Sequence, residues 1–243
     1  MSDYRQRPAR ARRDSGLMEH IGIEPGILYF GTPVVLLGTA DPEGHPNLAP
    51  MSSAFWLGWR CVLGMGTSSQ TARNLLATGE CTINLPSTAQ VGAVDRLALT
   101  TGSDPVSPGK ARRGYRHVRD KFGVSGLTPA PSETVRPPRV AECPVTMEAV
   151  LEDSREIAAD LGGWGTVFEV RVQRVRVHPS ITMDGHPDRI DPDRWRPLIM
   201  SFQKFYGLGD QVHPSRLAGI PEHLYRTEDI ERAATTPTAT GVG

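Results

Sequence analysis

Residues 32–85 constrain the fold of this chain more than any other segment. The strand predicted at residues 34–39 is almost entirely apolar, which is typical of a central strand covered on both faces. Asp41-Pro42-Glu43-Gly44 follows directly and favours a tight turn, because proline fixes φ and glycine tolerates positive φ. The segment therefore opens with a predicted β-hairpin.

The rest of the segment adds strands and one helix. Residues 47–57 are predicted as a strand, with Pro50 marking an edge or a bulge because proline has no N–H for a sheet. Residues 60–65 and 81–85 are predicted as two further strands. Between them, residues 70–78 have helical character, and Gly79 supplies a C-terminal stop.

Downstream, short strands with a few helices continue. We expect helices at 90–99 and 110–122, a Pro-, Ser- and Gly-rich surface connection at 123–142, long strands at 143–153 and 167–177, a polar excursion at 178–196, and a strand or short helix at 198–206. The regular strand–helix alternation that a doubly wound parallel sheet requires is missing. The predicted fold class is mainly β, an antiparallel barrel with helical decorations.

The composition limits which partners and which cellular compartment fit this chain. Lys+Arg and Asp+Glu both number 27, so no net charge draws the chain to nucleic acid or a membrane. No apolar stretch approaches the ~20 residues of a membrane span. The three cysteines lie far apart in apolar runs, which predicts buried thiols in a reducing cytoplasm. We expect a cytoplasmic protein with a disordered basic arm at 1–16, one domain at 17–227 and a loose tail at 228–243.

The sequence Gly64-Met65-Gly66-Thr67-Ser68-Ser69 joins a predicted strand to a predicted helix. A dinucleotide-binding Rossmann turn is disfavoured, because Ser69 replaces its third glycine. Free N–H groups at a helix start bind anions, and Thr67, Ser68, Ser69 and Thr71 add hydroxyl donors. We interpret this region as a phosphate site, to which Arg73 would add charge. Plain N-capping by Ser69 is the alternative.

Residues 47–55 are unusually small and polar for a strand. Small side chains leave the backbone approachable, and Asn47, Ser52 and Ser53 offer donors and acceptors on one sheet face. A planar heterocycle would fit such a surface with its polar edge bonded to main chain. A strand packed closely under a helix would also select Ala and Ser. Close packing therefore remains the alternative interpretation of these small residues.

These patterns together resemble the flavin-reductase-like family of FMN-binding split-barrel proteins. The matching residues are PVVLLGT at 33–39, GHPNLAPMSSAF at 44–55, TARNL at 71–75, CTINLP at 81–86, CPVTMEAVLED at 143–153 and GTVFEVRVQRVRVH at 165–178. The resemblance covers residues 26–210, and its first half is the more specific. It implies a Greek-key-like split β-barrel with peripheral helices, and a homodimer with FMN near the subunit interface.

The resemblance also implies two groups of cofactor contacts. The residues facing the ring and ribityl chain would be Ala49, Met51, Ser52, Ser53 and Ala54, beside Asn47. Those surrounding the phosphate would be Ser68, Ser69, Gln70, Thr71 and Asn74, beside Thr67.

The chain departs from the family in one place. Members that use NAD(P)H commonly carry Gly-Asp-His at the entry to the strand that begins near Val167, whereas this chain has Gly162-Gly163-Trp164-Gly165. That departure weakens the expectation of nicotinamide-dependent reduction. Trp164 and Trp56 are candidates for a substrate pocket, with a place in the core as the alternative for each.

Other residues offer weaker signals. His178, His213 and Tyr206 are the candidate proton donors, although both histidines precede proline and also suit turns. Ser107-Pro108-Gly109-Lys110 matches SxxK without its companion motifs. The aspartates between 184 and 193 match no calcium loop, so no metal site is expected.

The leading hypothesis is an NAD(P)H:flavin reductase-like oxidoreductase that uses FMN, with FAD as an alternative cofactor. Its electrons would pass to free flavin, a small-molecule substrate or a partner flavin-dependent monooxygenase. Two alternatives remain: a flavoenzyme with a dedicated small organic substrate, and a non-catalytic flavin-binding or electron-carrier protein.

Overall fold

The computed structural model describes residues 20–238. The strands within this range are β1 (Phe30–Pro33), β2 (Val35–Ala40), β3 (Pro46–Met51), β4 (Ala54–Leu57), β5 (Arg60–Gly66), β6 (Glu80–Leu85), β7 (Thr100–Thr101), β8 (Arg116–His117), β9 (Pro129–Ala130), β10 (Arg139–Val140), β11 (Val145–Ile157), β12 (Gly165–Val177), β13 (Thr182–Met183), β14 (His186–Ile190), β15 (Leu198–Ser201) and β16 (Lys204–Gly207). The α-helices are α1 (Gln70–Thr78), α2 (Val91–Leu97), α3 (Pro108–Arg112), α4 (Lys121–Ser125) and α5 (Glu228–Thr235). The arm expected at 1–16 and residues 239–243 lie outside the described residues.

Seven strands form one antiparallel sheet in the order β3-β2-β6-β11-β12-β5-β4. The edge strands are β3 and β4, yet only Ser52 and Ser53 separate them in the chain. A flat sheet of this order would be about 29 Å wide at ~4.8 Å per strand, whereas the link from Met51 to Ala54 spans roughly 11 Å at most. The sheet therefore curls until its edges approach, and it is split between β3 and β4. This confirms the predicted mainly β, split-barrel fold with peripheral helices.

Alternate residues of β2 serve two cores. Val35 and Leu37 pack inside the curled sheet with residues of β5, β6, β11 and β12. Leu36 faces the opposite way and packs in a second cluster with residues of α2 and Phe122 of α4. All residues of β2 are buried, so the prediction of a strand covered on both faces is confirmed.

Three predicted elements are divided in the structure. The strand expected at 47–57 is interrupted at Ser52 and Ser53, because the chain there passes from one sheet edge to the other. The helix expected at 110–122 is replaced by α3, β8 and α4, with Gly114 at a φ of 82° ending the first of these. The expected final segment at 198–206 is the β15–β16 hairpin, whose turn residues Phe202 and Gln203 both have positive φ.

The tail expected to be loose from residue 228 is instead helical as far as Thr235. Asp229 of α5 accepts a hydrogen bond from Arg60 Nε at 2.6 Å, and Arg174 Nη2 of β12 donates to the carbonyl of Thr236 at 2.7 Å. Acidic residues in the first turn of α5 favour its N-terminus, and buried Ala233 supplies an apolar contact. None of the helices in residues 20–238 is both long and apolar enough to cross a lipid bilayer.

A buried carboxylate anchors the long connection at 123–142. Glu148 of β11 has no exposed surface. Its carboxylate accepts from the backbone N–H groups of Glu133 and Thr134 at 2.9 and 2.6 Å and from the Thr134 hydroxyl at 2.8 Å. Arg139 Nε lies 3.3 Å from the same carboxylate. The connection is therefore tied to the sheet by charge-assisted hydrogen bonds.

Replacing Glu148 by Gln should lower the free energy of unfolding by about 2–3 kcal/mol, because the buried donors lose their charged acceptor. Urea denaturation measures this change. Glu142→Gln is the matched control, since the Glu142 carboxylate is exposed and, among residues 20–238, accepts only from Thr128 N–H. Equal losses in the two variants would contradict the anchoring role of Glu148.

Candidate functional site

A cavity of about 190 Å³ lies between strand β3 and the start of helix α1. Its walls are Asn47, Leu48, Ala49, Pro50 and Met51 of β3, Met65 of β5, Ser69, Gln70 and Thr71 at the start of α1, the loop 97–102, and Lys110, Tyr115 and Lys121. Residues that the sequence assigned separately to a ring and to a phosphate thus line one cavity. The expected cofactor contacts that line it are Asn47, Ala49, Met51, Ser69, Gln70 and Thr71.

Hydrogen bonds fix the start of α1 against β3. Ser69 is the N-cap, and its side-chain oxygen accepts from Ala72 N–H at 3.1 Å. Ser69 therefore caps the helix, as the alternative interpretation expects, and uses one lone pair of its side-chain oxygen to do so. Its hydroxyl proton stays available to a ligand. Asn47 Nδ2 donates to the Thr71 hydroxyl at 3.1 Å, which joins β3 directly to the helix.

Asn74 has a structural role in α1. It is buried, it accepts from Gln70 Nε2 at 2.7 Å, and its own Nδ2 donates to the Thr39 hydroxyl of β2 at 3.2 Å. Asn74 does not line the cavity, and its contact with a phosphate stays a prediction. It holds the helix on the sheet.

Arg73 is likewise engaged with protein groups. Its guanidinium donates to the carbonyl of Ser68 at 2.7 Å, to Gln70 Oε1 at 2.6 Å and to the Ser103 hydroxyl at 2.9 Å. These bonds clamp the helix start to the loop that follows Gly102. The Arg73 guanidinium, which the sequence assigns to an anion, therefore bonds protein groups beside the cavity.

Two lysines supply positive charge to the cavity instead. Lys121 is only 2% exposed, and its Nζ donates to the Thr100 hydroxyl at 2.5 Å. Lys110 Nζ donates to the Thr101 hydroxyl at 3.2 Å. Within residues 20–238 neither ammonium group forms an ion pair with a carboxylate. Burial, with Lys110 and Arg116 nearby, lowers the pKa of Lys121 to about 8. Burial also lowers the pKa of Lys110, with help from the charges of Arg113 and Arg73.

The remaining predicted cofactor contacts lie beside the cavity rather than in its wall. Ser52 and Ser53 form the link at the split of the sheet, and the backbone carbonyl of Ser53 accepts from Gly64 N–H at 2.8 Å. Ala54 is buried in the inner core. The Thr67 hydroxyl bonds the Thr166 hydroxyl at 2.9 Å, and the Ser68 side chain is exposed just before the N-cap.

The two candidate pocket tryptophans differ in environment. Trp164, in the β11–β12 turn, is 66% exposed, and its carbonyl accepts from Thr67 N–H at 3.3 Å. The turn thus lies against the start of α1, while the indole of Trp164 faces solvent. Trp56 of β4 packs against the inner core, as the core alternative expected. Neither residue lines the cavity.

The three candidate proton donors are not brought together. His178 follows β12 and its ring bonds Ser180, which is turn chemistry. Tyr206 lies in β16 and is 51% exposed, and His213 is exposed in the segment after it. None of the three lines the cavity. A wider cavity of about 1350 Å³, between β12, β14 and the C-terminal segment, also contains none of the predicted site residues.

Sequence reasoning missed the loop 97–102, Tyr115 and the lysine pair. The sequence places both lysines in a predicted helix at 110–122, and Lys110 also completes the SxxK match. A signal was nevertheless present, because the chain contains only three lysines among its 27 basic residues and two of them lie eleven positions apart. Their convergence on the helix start depends on tertiary structure.

The curled sheet and the cavity at its helix start define a split-barrel protein. Residues 27–209 match the sequence model of the flavin reductase like domain. The chain belongs to the flavin reductase like family.

Relatives extend the comparison. Uncharacterized protein YdfE of Bacillus subtilis (strain 168) is 34% identical over 190 residues, covering 78% of this chain and 90% of YdfE. The structure of flavoredoxin from Desulfovibrio vulgaris (Miyazaki F) matches with a TM-score of 0.66 at 25% identity, covering 84% of this chain and 100% of flavoredoxin. Nitrilotriacetate monooxygenase component B from Bacillus cereus has the same fold, with a TM-score of 0.65 at 20% identity over 82% of this chain and 100% of its own.

The buried ammonium of Lys121 predicts a specific pH dependence of stability. Because its pKa of about 8 lies below the ordinary value of 10.5, the unfolded chain binds more protons between these pH values. The cost of burying the charge is therefore full below pH 8 and disappears as the pH rises toward 10.5. Lys121→Met should be more stable than the parent at pH 7, and this difference should shrink across that interval. Denaturation of the protein without added ligand at several pH values measures it.

Lys204→Met is the control, since Lys204 is exposed in β16. A pH-independent difference between the parent and Lys121→Met would contradict the assigned shift.

Proposed function

We propose that the protein is an FMN-binding oxidoreductase of the NAD(P)H:flavin reductase type. The observation that carries the proposal is the single cavity that joins β3 to the start of α1. Asn47, Ala49 and Met51 line one side of it, and Ser69, Gln70 and Thr71 line the other. Family membership supports a flavin as the ligand. The β3 side of the cavity suits the ring of a flavin, and the helix-start side suits its phosphate.

The donor set of the cavity fits a flavin phosphate. The Ser69 hydroxyl and the free N–H groups at the start of α1 are donors to an anion. In the described part of the chain, two ammonium groups without carboxylate partners line the same cavity. These groups would hold the phosphate end, and the hydroxyl proton of Ser69 would donate to it.

The edge strand would hold the ring. As an edge strand of the sheet, β3 pairs with β2 among the described residues, so backbone groups on its outer side could bond the polar edge of a heterocycle, although Pro46 and Pro50 offer no N–H. N–H donors near the pyrimidine edge would stabilise negative charge on a reduced ring. When bound, the flavin would supply hydride transfer, so the cavity needs no protein acid of its own.

The volume of the cavity suggests how the ring would be covered. At about 190 Å³ it is smaller than the roughly 300–1,000 Å³ of ordinary ligand pockets. It would enclose the phosphate end and leave the ring at the open split of the sheet. In this proposal a second copy of the chain covers the ring, and free flavin, a small molecule or a monooxygenase partner accepts the electrons.

A dedicated small organic substrate is the second candidate. The exposed indole of Trp164 favours it, because the β11–β12 turn contacts the helix start through Thr67 and presents an aromatic surface there. Gly162-Gly163-Trp164-Gly165 stands where nicotinamide-dependent relatives commonly have Gly-Asp-His.

Anaerobic reduction of the flavin-loaded protein separates these candidates. NADH or NADPH should bleach the visible flavin absorption within the time of a stopped-flow measurement if the protein is a flavin reductase. A flavin spectrum inert to both nicotinamides would favour the dedicated substrate or an electron carrier. Failure of the purified protein to bind added FMN or FAD would contradict the whole proposal.

Substitution of Ser69 tests the phosphate assignment. Ser69→Asp keeps a good helix cap but puts a negative charge beside the phosphate, so FMN affinity should fall at least about tenfold. Ser69→Asn is the matched control, because it caps the helix without charge. Fluorescence titration with FMN measures both affinities, and equal effects of the two substitutions would refute the assignment.

A further inference from the structure

We propose that the wider cavity, between β12, β14 and the C-terminal segment (residues 210–238), is a second binding site for an aromatic organic acid that also has a hydrogen-bond donor. Its volume is about 1350 Å³, and within the described residues it shares no lining residue with the cavity at the start of α1. The site therefore lies outside the proposed flavin function and does not depend on it.

One wall of this cavity lies beyond the family domain. The family model matches residues 27–209, whereas Leu217 and Tyr225 in the wall follow the end of that match. The C-terminal segment is attached to the sheet through α5, where the carbonyl of Ala233 accepts from the Arg174 guanidinium. The cavity is therefore formed jointly by the shared fold and by residues outside it.

A β-bulge brings an extra residue of β12 to the cavity. Glu148 and Ala149, neighbours in β11, pair with Arg174 and Val172, so Gln173 has no partner on β11 in the described sheet. Side chains of a regular strand alternate between its two faces, yet the neighbours Gln173 and Arg174 both line the cavity. Bulges redirect side chains and are over-represented beside active sites. The irregularity thus places the Gln173 amide at the cavity.

Two polar atoms at the cavity lack a hydrogen-bond partner. In residues 20–238 four buried side-chain nitrogen or oxygen atoms are unpartnered, and Gln173 Oε1 and Arg189 Nε are two of these. Arg189 Nε lies 3.0 Å from Glu222 Oε1, but in a geometry that forms no hydrogen bond between them. Leaving buried polar atoms unsatisfied is costly. A ligand that donates to Gln173 and offers an anionic acceptor to Arg189 would remove this cost.

Both side chains can turn toward a ligand. The two unpartnered atoms are covered in the empty cavity, but Gln173 is partly exposed and the Arg189 side chain is 37% exposed. The terminal torsion of a glutamine is broad, so its amide rotates at little cost. Arg226 lines the same cavity with a second guanidinium. Guanidinium groups bind carboxylates and related oxyanions through pairs of N–H donors.

Much of the remaining lining is apolar and open to solvent. Trp59, in the turn before β5, packs on the inner core and also lines the cavity. Leu217 and Tyr225 in the C-terminal segment are 66% and 57% exposed. Removing such surface from water is favourable, and clustered exposed apolar residues mark binding sites. An aromatic body would cover them.

The size of the cavity sets the size of the ligand. Pockets of roughly 300–1,000 Å³ enclose drug-sized molecules, and this cavity is larger. A single small ring would leave most of the apolar lining wet. The combination of donors, acceptor, apolar lining and volume matches an aromatic acid of more than one ring.

Fluorescence titration of the full-length protein with anilinonaphthalene sulfonate (ANS) tests the site. ANS has two aromatic ring systems, an N–H donor and a sulfonate, and it fluoresces in apolar surroundings. We expect saturable binding. Gln173→Leu should weaken it about fivefold to tenfold, the factor for one hydrogen bond, and Arg189→Leu at least about tenfold, because that contact is charge-assisted.

Matched controls separate these contacts from general effects of substitution. Gln211→Leu and Arg119→Leu replace exposed residues that do not line the cavity, and both should keep the parent affinity. Glu222→Gln breaks the ion pair with Arg189 but leaves the guanidinium in place. It should bind ANS at least as tightly as the parent, since a negative charge has been removed. A loss in Glu222→Gln equal to that in Arg189→Leu would contradict a direct contact with Arg189.

Thermal stability without ANS gives a second readout. Gln173→Leu should raise the thermal midpoint by roughly 2–4 °C, because it removes an unsatisfied buried acceptor. A glutamine needed only for the fold would lower the midpoint on substitution, and that result would overturn its role as a ligand contact. If Gln173→Leu folds poorly, the comparison of Arg189→Leu with Glu222→Gln still decides.

The remaining outcomes decide between occupants. ANS affinity that is equal in the parent, Gln173→Leu and Arg189→Leu would overturn the site, as would displacement of ANS by FMN. ANS binding that appears only when a dimer dissociates on dilution would show that a second copy of the chain fills the cavity, which also overturns it. Failure to bind any flavin would overturn the proposed function alone, because the ANS titration involves no flavin.

Discussion

The structure depends on one constraint of chain length, the link between strands β3 and β4. These strands are the opposite edges of a seven-stranded sheet, and only Ser52 and Ser53 join them. Two residues cannot cross the width of a flat sheet, so the sheet curls and its edges come together. The curl encloses the inner core, which includes Leu37 and Phe168. It also leaves the outer side of β3 free, since the barrel is split there.

The cavity follows from how helix α1 returns across the curled sheet. The helix leaves the end of β5 and is bonded to β3 through Asn47 and Thr71 and to β2 through Thr39 and Asn74. Its first residues, Ser69 to Thr71, therefore line the space beside β3, together with the loop 97–102 and the two lysines. A strand edge and a helix start are generic features. Their junction within one small, positively charged cavity is what makes them a candidate binding site.

Polar groups far apart in the chain hold the connections in place. Glu148 fixes the long connection before β11 through backbone N–H groups, and Arg73 clamps the helix start to Ser103. Arg60 attaches α5 to the sheet through Asp229. Within residues 20–238 the carboxylate of Glu148 is satisfied by several donors, whereas the ammonium of Lys121 has one hydroxyl partner and no carboxylate.

The sequence by itself determined the local features of this protein: the buried strand β2, the turn after it, the helix start with its Ser69 cap, and the two long strands β11 and β12. These follow from apolar periodicity and turn chemistry, which act over a few residues. Tertiary structure alone decided that Lys110 and Lys121 join that helix start, that Arg73 and Asn74 serve the scaffold, and that residues 228–235 form a packed helix. Such outcomes depend on which distant charges and surfaces meet after the sheet curls, and no short-range pattern in the sequence records them.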